Sequence, residues 1–500
     1  MHQAVGRIYQ ALLSDDNIVI YGDFDVDGIT STALLVEGLT ELGAKVTPYI
    51  PHRLTEGYGL KAPALENLHN EGAKLIVTCD CGITALPEVK KARKMGLDII
   101  ITDHHTPLEE LPPAVAVINP KRADSGYPFT ELAGVGVALK LIQALFQSLG
   151  KKQELNRFLD LVALGTVADI VPLLGENRYL VKQGLQTLNG APRLGIREMM
   201  TQAGLSMGTI DPGRISWVIA PRLNTPGRLE HAMASYQLLT TDSPDDAKEL
   251  TTWLEQKNKD RQKMTADALD KAREQVVKEG LTPLLFASDE EFPAGINGLV
   301  AGRLSEEFYR PAIVVRMGEV WSTGSCRSIP EFNIIQALNR CRPLLSHYGG
   351  HARAAGFTLP TRNLWSLKQT LLELAAAELA GVDLRSHLDI DAQVTLAELV
   401  NNNTFTLIQQ LAPFGEGNPP PTFLSCGVNV IDCRTMGSNG EHIRIKLKQG
   451  GCIWDGVGFG LGNYISEITP NIDVVYNLEI DHWNGHETLR LNILDFRTVK

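Results

Sequence analysis

The chain has 500 residues, of which 44% are hydrophobic and 21% are charged. This composition predicts a soluble globular protein of roughly three domains. No apolar run reaches the ~18 residues of a membrane-spanning helix, and the first residues lack the apolar core of a signal peptide. The net charge of -11 argues weakly against a nucleic-acid partner without excluding one, because an acidic protein can carry a local basic groove.

The first part of the chain alternates short apolar runs with helical segments, which is typical of a doubly wound parallel sheet. A helix is predicted from Thr30 to Leu42, and residues 128–200 are mostly helical in pattern. The runs predicted as strands are 18–21, 46–50, 75–78, 99–102 and 115–118.

The clearest single helix is predicted over residues 244–279, with Pro244 in its first turn and Gly280 directly after its end. At about 1.5 Å per residue it spans about 54 Å, so we expect it to connect two lobes.

A second α/β unit and then, over residues 423–500, a small antiparallel barrel are predicted after this helix. The barrel prediction is based on alternating residues such as 442–448, where Arg444, Lys446 and Lys448 share one strand face. These cations either bind a nucleic-acid strand or keep that face soluble. The second unit comprises strand 284–286, helix 298–308, strand 312–315, a Gly-rich turn at 347–351 and strand 355–359.

Carboxylates and imidazoles follow three of the predicted strands: the loop 23–28, the segment 79–82 and Asp103-His104-His105. Because ligands lie off the carboxyl ends of parallel strands, we expect these side chains to converge. Their mutual repulsion in a partly dry cleft requires cations. The sequence therefore predicts a metal site, and oxygen and imidazole donors suit Mn²⁺, Mg²⁺ or Zn²⁺.

Each of these segments has a simpler interpretation when it is taken alone. An Asp-rich turn or helix cap explains the loop, where Gly28 is expected to allow a turn before the helix, and a solvated loop explains His104-His105. Residues 134–136 lack the third glycine of a dinucleotide loop and predict a closely packed helix start. No P-loop occurs, so ATP hydrolysis is not supported. The seven cysteines form no CxxC pair or zinc-spaced array, which favours a reduced, cytoplasmic compartment.

Four motifs match, in order, those of the DHH phosphoesterase superfamily: DFDVDGITST at 23–32, TCDCGIT at 78–84, TDHH at 102–105 and GTVADIVPL at 165–173. The segment GGHARAAGFTL at 349–359 looks like the DHH-associated domain. Within the superfamily the chain resembles the RecJ-like exonucleases through PHRLTEGYGL at 51–60, APRLNTPGRL at 220–229 and LAPFGEGNPPPTF at 411–423. It departs from them where Thr225-Pro226 follows Asn224, since two alanines are more typical there.

The resemblance implies roles for particular residues. The metal ligands would be Asp23, Asp25, Asp27, Asp80, His104 and Asp169, with Asp80 bridging two Mn²⁺ or Mg²⁺ ions. His105 would face the scissile phosphate and Asp103 would lie beside it; Asp23 and Asp103 serve either as ligands or as carboxylates that orient imidazole. The substrate would be held by Arg53, Arg222, Asn224, Arg228, Ser325, Arg327, Gly349, Gly350 and His351.

The resemblance also implies a fold class and a function. The α/β fold would comprise a parallel-sheet DHH lobe over residues 1–200, a helical region with the long connecting helix over 201–280, a DHH-associated lobe over 281–382 and an OB-like barrel over 383–500. The implied activity is two-metal 5′ to 3′ degradation of single-stranded DNA in repair and recombination, by a monomer that works with a helicase and a single-strand-binding protein and not at a membrane. Two alternatives remain: a DHH phosphodiesterase of short oligonucleotides or cyclic dinucleotides, and a non-catalytic DHH scaffold.

Overall fold

A computed structural model describes residues 1–53, 55–150, 155–400, 402–437, 439–481 and 488–499. The chain divides into two compact units. The first comprises residues 1–169, 186–210 and 214–386, and the second comprises residues 170–185, 211–213 and 387–500. Within the described residues, no helix is both long enough and apolar enough to cross a bilayer.

The first unit contains the predicted parallel sheet, in the strand order β2-β1-β3-β4-β5. The order reverses between β1 and β3, and ligand sites of doubly wound sheets lie at such a switch point. Both strands are almost completely buried, which explains their continuous apolar sequence. The strands are β1 Asn17–Gly22, β2 Lys45–Tyr49, β3 Ala73–Cys79, β4 Asp98–Thr102 and β5 Ala116–Ile118.

Helices account for much of the rest of the chain, mostly in the first unit, and residues 128–200 are largely helical as predicted. The early helices are α1 His2–Ser14, α2 Val26–Glu41, α3 Ala62–Asn70, α4 Leu86–Lys94, α5 Gly134–Ser148, α6 Leu159–Ala168, α7 Gly175–Gly190 and α8 Leu194–Gln202. The later ones are α9 Pro212–Arg214, α10 Ala220–Leu229, α11 Met233–Thr240, α12 Pro244–Lys278, α13 Asn297–Phe308, α14 Ile334–Arg340, α15 Leu364–Glu378 and α16 Asn402–Gln409, with a π-helical turn at Ile215–Ile219.

Helix α2 begins at Val26, four residues before the predicted start at Thr30. Asp25 is its N-cap, and the Asp25 carboxylate accepts a hydrogen bond from the Gly28 amide at 3.1 Å. Gly28 therefore lies inside the helix and forms no turn. A Cβ atom at this position would lie 2.6 Å from the backbone nitrogen of Asp23, so glycine is required because two backbone segments approach closely.

The long helix is confirmed as α12, which begins after its N-cap Ser243 and ends two residues before Gly280. Ala268, Ala272 and Val276 pack into the core around strand β6 (Leu285–Asp289), while Leu254 is buried in the part of α12 that contacts α8, α10 and α11. The helix thus contributes to the cores of both lobes of the first unit.

The second lobe has a mixed sheet in the order β6-β7-β8-β10-β9. The prediction of a turn at 347–351 is wrong, because His347–Gly350 forms the edge strand β9, antiparallel to β10. Strand β8 was not predicted, since its inward side chains are small and gave no apolar run; a Cβ on Gly324 would lie 2.2 Å from the Phe357 ring. The further strands are β7 Ala312–Arg316, β8 Trp321–Arg327 and β10 Ala354–Pro360.

The second unit contains the predicted barrel. Its strands are β11 Ala392–Gln393, β12 Phe423–Met436, β13 His442–Gln449, β14 Cys452–Gly458, β15 Asn471–Asp481 and β16 Thr488–Thr498. The ladder β12-β13-β14-β16-β15 closes through pairing of β12 with β15, and β14 and β16 run parallel, whereas an all-antiparallel barrel was predicted. Alternate residues of β13 are buried, which leaves Arg444, Lys446 and Lys448 exposed as predicted. The register places Lys446 between Asp432 and Asp455, so this outer face is not purely cationic.

Candidate active site

The loop after β1 brings three carboxylates to the switch point of the first sheet. Asp23 is buried, Asp25 caps α2, and Asp27 lies in the first turn of that helix. The Asp27 carboxylate accepts hydrogen bonds from the backbone amides of Gly134, at 2.6 Å, and Val135, at 2.8 Å. These amides begin α5, so a helix N-terminus fixes this carboxylate. The prediction of a closely packed helix start at Gly134 is confirmed.

Asp80 and His104 extend this cluster from the neighbouring strands β3 and β4. Asp80 has a φ of 61°, in the left-handed region that Asp tolerates better than most residues, and its Oδ1 lies 3.1 Å from Nε2 of His104. The same imidazole nitrogen lies 3.5 Å from Oδ2 of Asp169, which ends α6, and 3.9 Å from Oδ2 of Asp27. Residues that are far apart in the sequence therefore converge as expected.

The converging side chains form adjoining groups whose ligand atoms lie within 4.8 Å of one another. The groups are Asp23, Asp25 and Asp80; Asp27, His104 and Asp169; and Asp80, His104 and His105. Oδ1 of Asp23, Oδ1 of Asp80 and both ring nitrogens of His104 are buried without a hydrogen bond from the described residues. Such donors fit divalent cations, and carboxylate and imidazole donors suit Mn²⁺ and Mg²⁺.

The electrostatics of the cluster support the same conclusion. Burial, reinforced by neighbouring carboxylates, raises the pKa of Asp23, Asp80 and Asp169 well above the usual value and that of Asp27 to about 7. Burial also lowers the pKa of His104 to about 3, so this imidazole is neutral and able to bind a metal. A bound cation would offset the repulsion among the carboxylates.

Asp103 and His105 form a separate pair beside this cluster. Oδ1 of Asp103 accepts hydrogen bonds from Nδ1 of His105 at 2.8 Å and from the backbone amides of His104 and His105. Although burial alone would lower the pKa of His105, the hydrogen bond to Asp103 raises it. The geometry therefore favours Asp103 as the carboxylate that orients imidazole over a role as a ligand.

An arginine cluster lies beside the candidate metal ligands and is formed by Arg53, Arg228 and Arg327, which come from separate segments. The Arg53 guanidinium lies over the Phe24 ring, 4.7 Å from its centroid. Burial, together with the charges of Arg53, Arg261 and Arg327, lowers the pKa of Arg228 to about 9. A cleft of about 210 Å³ is lined by Arg53, Ala294, Gly295, Asn297, Thr323, Gly324 and Ser325.

The second lobe also brings His351 to the site. Its ring is nearly parallel to that of His105, with an interplanar angle of 8° and 6.5 Å between the ring centroids. Gly350 precedes it with a φ of 139°, where a Cβ would lie 2.4 Å from the carbonyl oxygen of Ala354, whereas a Cβ on the exposed Gly349 would meet no atom within 4 Å. The backbone conformation thus requires glycine at position 350, whereas Gly349 leaves an open surface near His351.

Two predicted substrate residues make contacts within the protein. Arg222 donates to Glu255 at 2.7 Å and to the Val218 carbonyl at 2.8 Å. Oδ1 of Asn224 accepts a hydrogen bond from the Val26 amide at 3.0 Å, which ties α10 to the start of α2. Asn224 therefore supports the Asp-rich loop.

Sequence reasoning missed Tyr58 and Asn119, which both contact His105. The Tyr58 hydroxyl lies 3.5 Å from Nδ1 of His105, and the side-chain amide of Asn119 donates to the His105 carbonyl at 2.8 Å. Asn119 directly follows β5, the same position after a strand that identified the aspartates. Tyr58 had no such signal, because it lies in an irregular segment.

Models of three protein families match the chain. The DHH family N-terminal domain matches residues 17–166, the DHHA1 domain residues 281–381 and the RecJ OB domain residues 390–495. The first two matches lie in the first unit and the third lies in the second unit. The chain therefore combines a DHH core with the DHHA1 and OB domains.

Curated relatives and solved structures resemble the chain along its length. The single-stranded-DNA-specific exonuclease RecJ of Bacillus subtilis is 39% identical over 99% of this chain, which spans 63% of that protein's length. The Haemophilus influenzae RecJ is 32% identical over 98% of this chain and 89% of its own length. The crystal structure of Thermus thermophilus RecJ with Mn²⁺ superposes with a TM-score of 0.86 at 31% identity, covering all of this chain and 71% of that one. The chain belongs to the RecJ family.

Proposed function

We propose that this protein is a Mn²⁺- or Mg²⁺-dependent exonuclease that removes nucleotides from the 5′ end of single-stranded DNA. The observation that carries this proposal is the pair of adjoining ligand groups, Asp23/Asp25/Asp80 and Asp27/His104/Asp169, directly beside the Asp103–His105 pair. These groups would hold divalent cations, which would supply an activated water and neutralise charge on a phosphodiester. The RecJ relatives named above are single-stranded-DNA-specific exonucleases, which supports the substrate.

The protein's own residues would orient and hold the scissile phosphate. His105, whose protonated form is stabilised by Asp103, would donate an N–H to a phosphate oxygen. His351 would contact the same phosphate from the second lobe, because its ring faces that of His105 across 6.5 Å. Asn224 and the first amides of α5 would keep the aspartates in position.

The arginine cluster would hold the 5′ end. Burial lowers the pKa of all three arginines, and the charge of Arg53 lowers those of Arg228 and Arg327 further. A bound anion would relieve this unfavourable arrangement. Guanidinium groups bind phosphate through two hydrogen bonds, and Ser325 adds a hydroxyl to the same cleft. We assign a terminal phosphate to this cleft, and the distal part of a long strand to the OB domain.

End-labelled DNA tests the proposal most directly. Single-stranded DNA, duplex DNA and a dinucleotide would be incubated with Mn²⁺, Mg²⁺ or EDTA. We expect mononucleotides from the 5′ end of the single strand, no cleavage in EDTA, and protection when the 5′ end is blocked. Cleavage that starts at the 3′ end, or that continues in EDTA, would contradict the proposal.

The cellular setting is also proposed. No P-loop occurs in the sequence, so a separate helicase would supply single strands from duplex DNA, and a single-strand-binding protein would present them. All seven cysteines are free thiols, which fits the reducing cytoplasm. We expect the enzyme to act as a monomer.

A further inference from the structure

A second cleft lies in the second lobe, at the edge of its sheet. Its volume is about 470 Å³, and its lining residues are Arg342, Leu345, Ser346, His347 and Tyr348. None of these residues belongs to the metal cluster, the arginine cluster or the glycine–histidine segment Gly349–His351. The cleft is therefore a separate feature of the lobe.

The lining combines a cation, an imidazole and a phenol. Arg342 and His347 are exposed, and the Arg342 side chain makes no ion pair with any part of the chain that the structure describes. Tyr348 is half-buried, because it packs against the core of the lobe. An exposed guanidinium beside an exposed imidazole suits a nucleotide, since the guanidinium binds phosphate and the imidazole ring stacks on a base.

Strand β9 connects this cleft to the candidate active site. His347 begins β9, an edge strand that pairs only with β10 among the described strands, and His351 follows its last residue. At about 3.3 Å per residue, the cleft lies roughly 10 to 13 Å along the strand from His351. His351 in turn faces His105.

We infer that this cleft is a nucleotide subsite for the strand on the 3′ side of the bond that is cut. The inference rests on the proposed function. An exonuclease that releases mononucleotides from the 5′ end has only one nucleotide on the 5′ side of the bond that is cut, so a further subsite must hold the strand on the 3′ side. Arg342 holds a phosphate of the retained strand, and His347 contacts its base; Tyr348 points to the other face of β9 and packs against the core. A peptide that pairs with the free edge of β9 is the competing occupant.

Substitution of Arg342 and His347 tests the subsite, because both side chains are exposed. Tyr348 is left unchanged, because it packs against the core of the lobe. The double variant Arg342→Ala/His347→Ala should raise KM for a long single strand about tenfold, leave kcat unchanged, and leave dinucleotide hydrolysis unchanged. The control Arg340→Ala removes a neighbouring arginine that is paired with Glu378 at 2.8 Å, and it should behave as the parent protein.

Abasic substitutions then locate the base. A series of long strands would each carry one abasic residue, placed one nucleotide further from the 5′ end in each strand. At one internal position the abasic residue should weaken binding to the parent protein, and at that position it should have no effect on the double variant. An unchanged KM in the double variant would overturn the subsite, and so would equal losses of activity on the long strand and on the dinucleotide. Neither result would affect the proposed function, which depends on cleavage by the parent protein. If KM is unchanged and a peptide binds to the free edge of β9, that edge would instead be a binding site for a protein partner.

Discussion

The amide of Gly134 and the carboxylate of Asp27 lie 2.6 Å apart, although 107 residues separate them in the chain. A Cβ on Gly134 would lie 2.7 Å from Cβ of Asp80 and 2.9 Å from Oδ2 of Asp27. Glycine at the start of α5 thus allows two candidate ligands to approach the N-terminus of this helix closely. The N-terminus of that helix also provides the hydrogen bonds that hold one of them.

Gly134→Ala should lower cleavage by about 100-fold or more, because the added methyl group displaces both carboxylates. Gly136→Ala is a matched control in the same helix, since the atoms nearest its Cβ would belong to the Leu132 side chain, at 3.2 Å or more. Metal titration followed by thermal unfolding would separate lost metal binding from lost stability. Equal activity in the two variants would contradict this assignment.

The stability of the metal-free protein should fall as pH rises from about 4 to 7. The pKa of Asp27 is about 7 in the folded protein and about 3.9 in an unfolded chain, so the folded state binds more protons across this range. The pKa of His104 is lowered to about 3, which opposes this trend. More groups act in the other direction, because the pKa values of Asp23 and Asp80 are also raised. Mn²⁺ should reverse the slope because it binds the deprotonated carboxylates. Urea unfolding across pH, with EDTA or Mn²⁺, would measure this; a flat metal-free profile would contradict it.

Asp80→Asn should lower cleavage by at least about 100-fold and stabilise the metal-free protein. The substitution removes a buried charge that lies among other carboxylates, and this charge is unfavourable without a cation. Asp160→Asn is the contrasting control, because the buried Asp160 is paired with Arg193 at 2.7 Å and its loss should be destabilising. Thermal unfolding in EDTA compares the two. Activity within about tenfold of the parent protein would argue against Asp80 as a ligand.

Arg228→Ala should weaken binding of 5′-phosphorylated single strands and reduce the slope of log affinity against log salt by about one. The long 3.4 Å contact from its guanidinium to the Gly295 carbonyl leaves Arg228 available to a phosphate. Arg222→Ala, which removes an arginine already paired with Glu255, should change the salt slope little. Binding would be measured in Ca²⁺ or EDTA over a salt series. Identical slopes for the two variants would exclude a specific phosphate contact by Arg228.

Ile170→Gly should raise the free energy of unfolding by about 1 kcal/mol. Ile170 directly follows Asp169, has a φ of 59° and is 69% exposed, so its β-branched side chain strains the backbone and contributes little packing. Val171→Gly is the neighbouring control, with no left-handed φ to relieve, and should be destabilising. A Tm for Ile170→Gly below that of the parent protein would show that the isoleucine contacts outweigh the strain.

The sequence predicted the elements whose signal is local. Apolar runs identified β1, β3 and β4, and carboxylates directly after them identified the cluster. Contacts across long sequence separations could not be predicted in this way, such as the hydrogen bond that Asn224 accepts from the Val26 amide, 198 residues away. Strand β8 was missed because its inward residues are small, to accommodate Phe357. The predicted alternation of buried and exposed residues in β13 is confirmed. The acidic neighbours of Lys446 could not be predicted, because they depend on the strand register.

Closure of the barrel has a consequence for the order in which the protein folds. Phe423 of β12 pairs with Tyr476 of β15, and β16 lies between β14 and β15 in the ladder. During synthesis, β12 must therefore wait for β15 to leave the ribosome, and β14 must wait for β16, the last strand of the barrel. Until then, β12 and β14 each have an unpaired edge, which makes the nascent barrel vulnerable to strand exchange with another chain. Because its strand pairing is non-local, we expect the barrel to form more slowly than the helical regions.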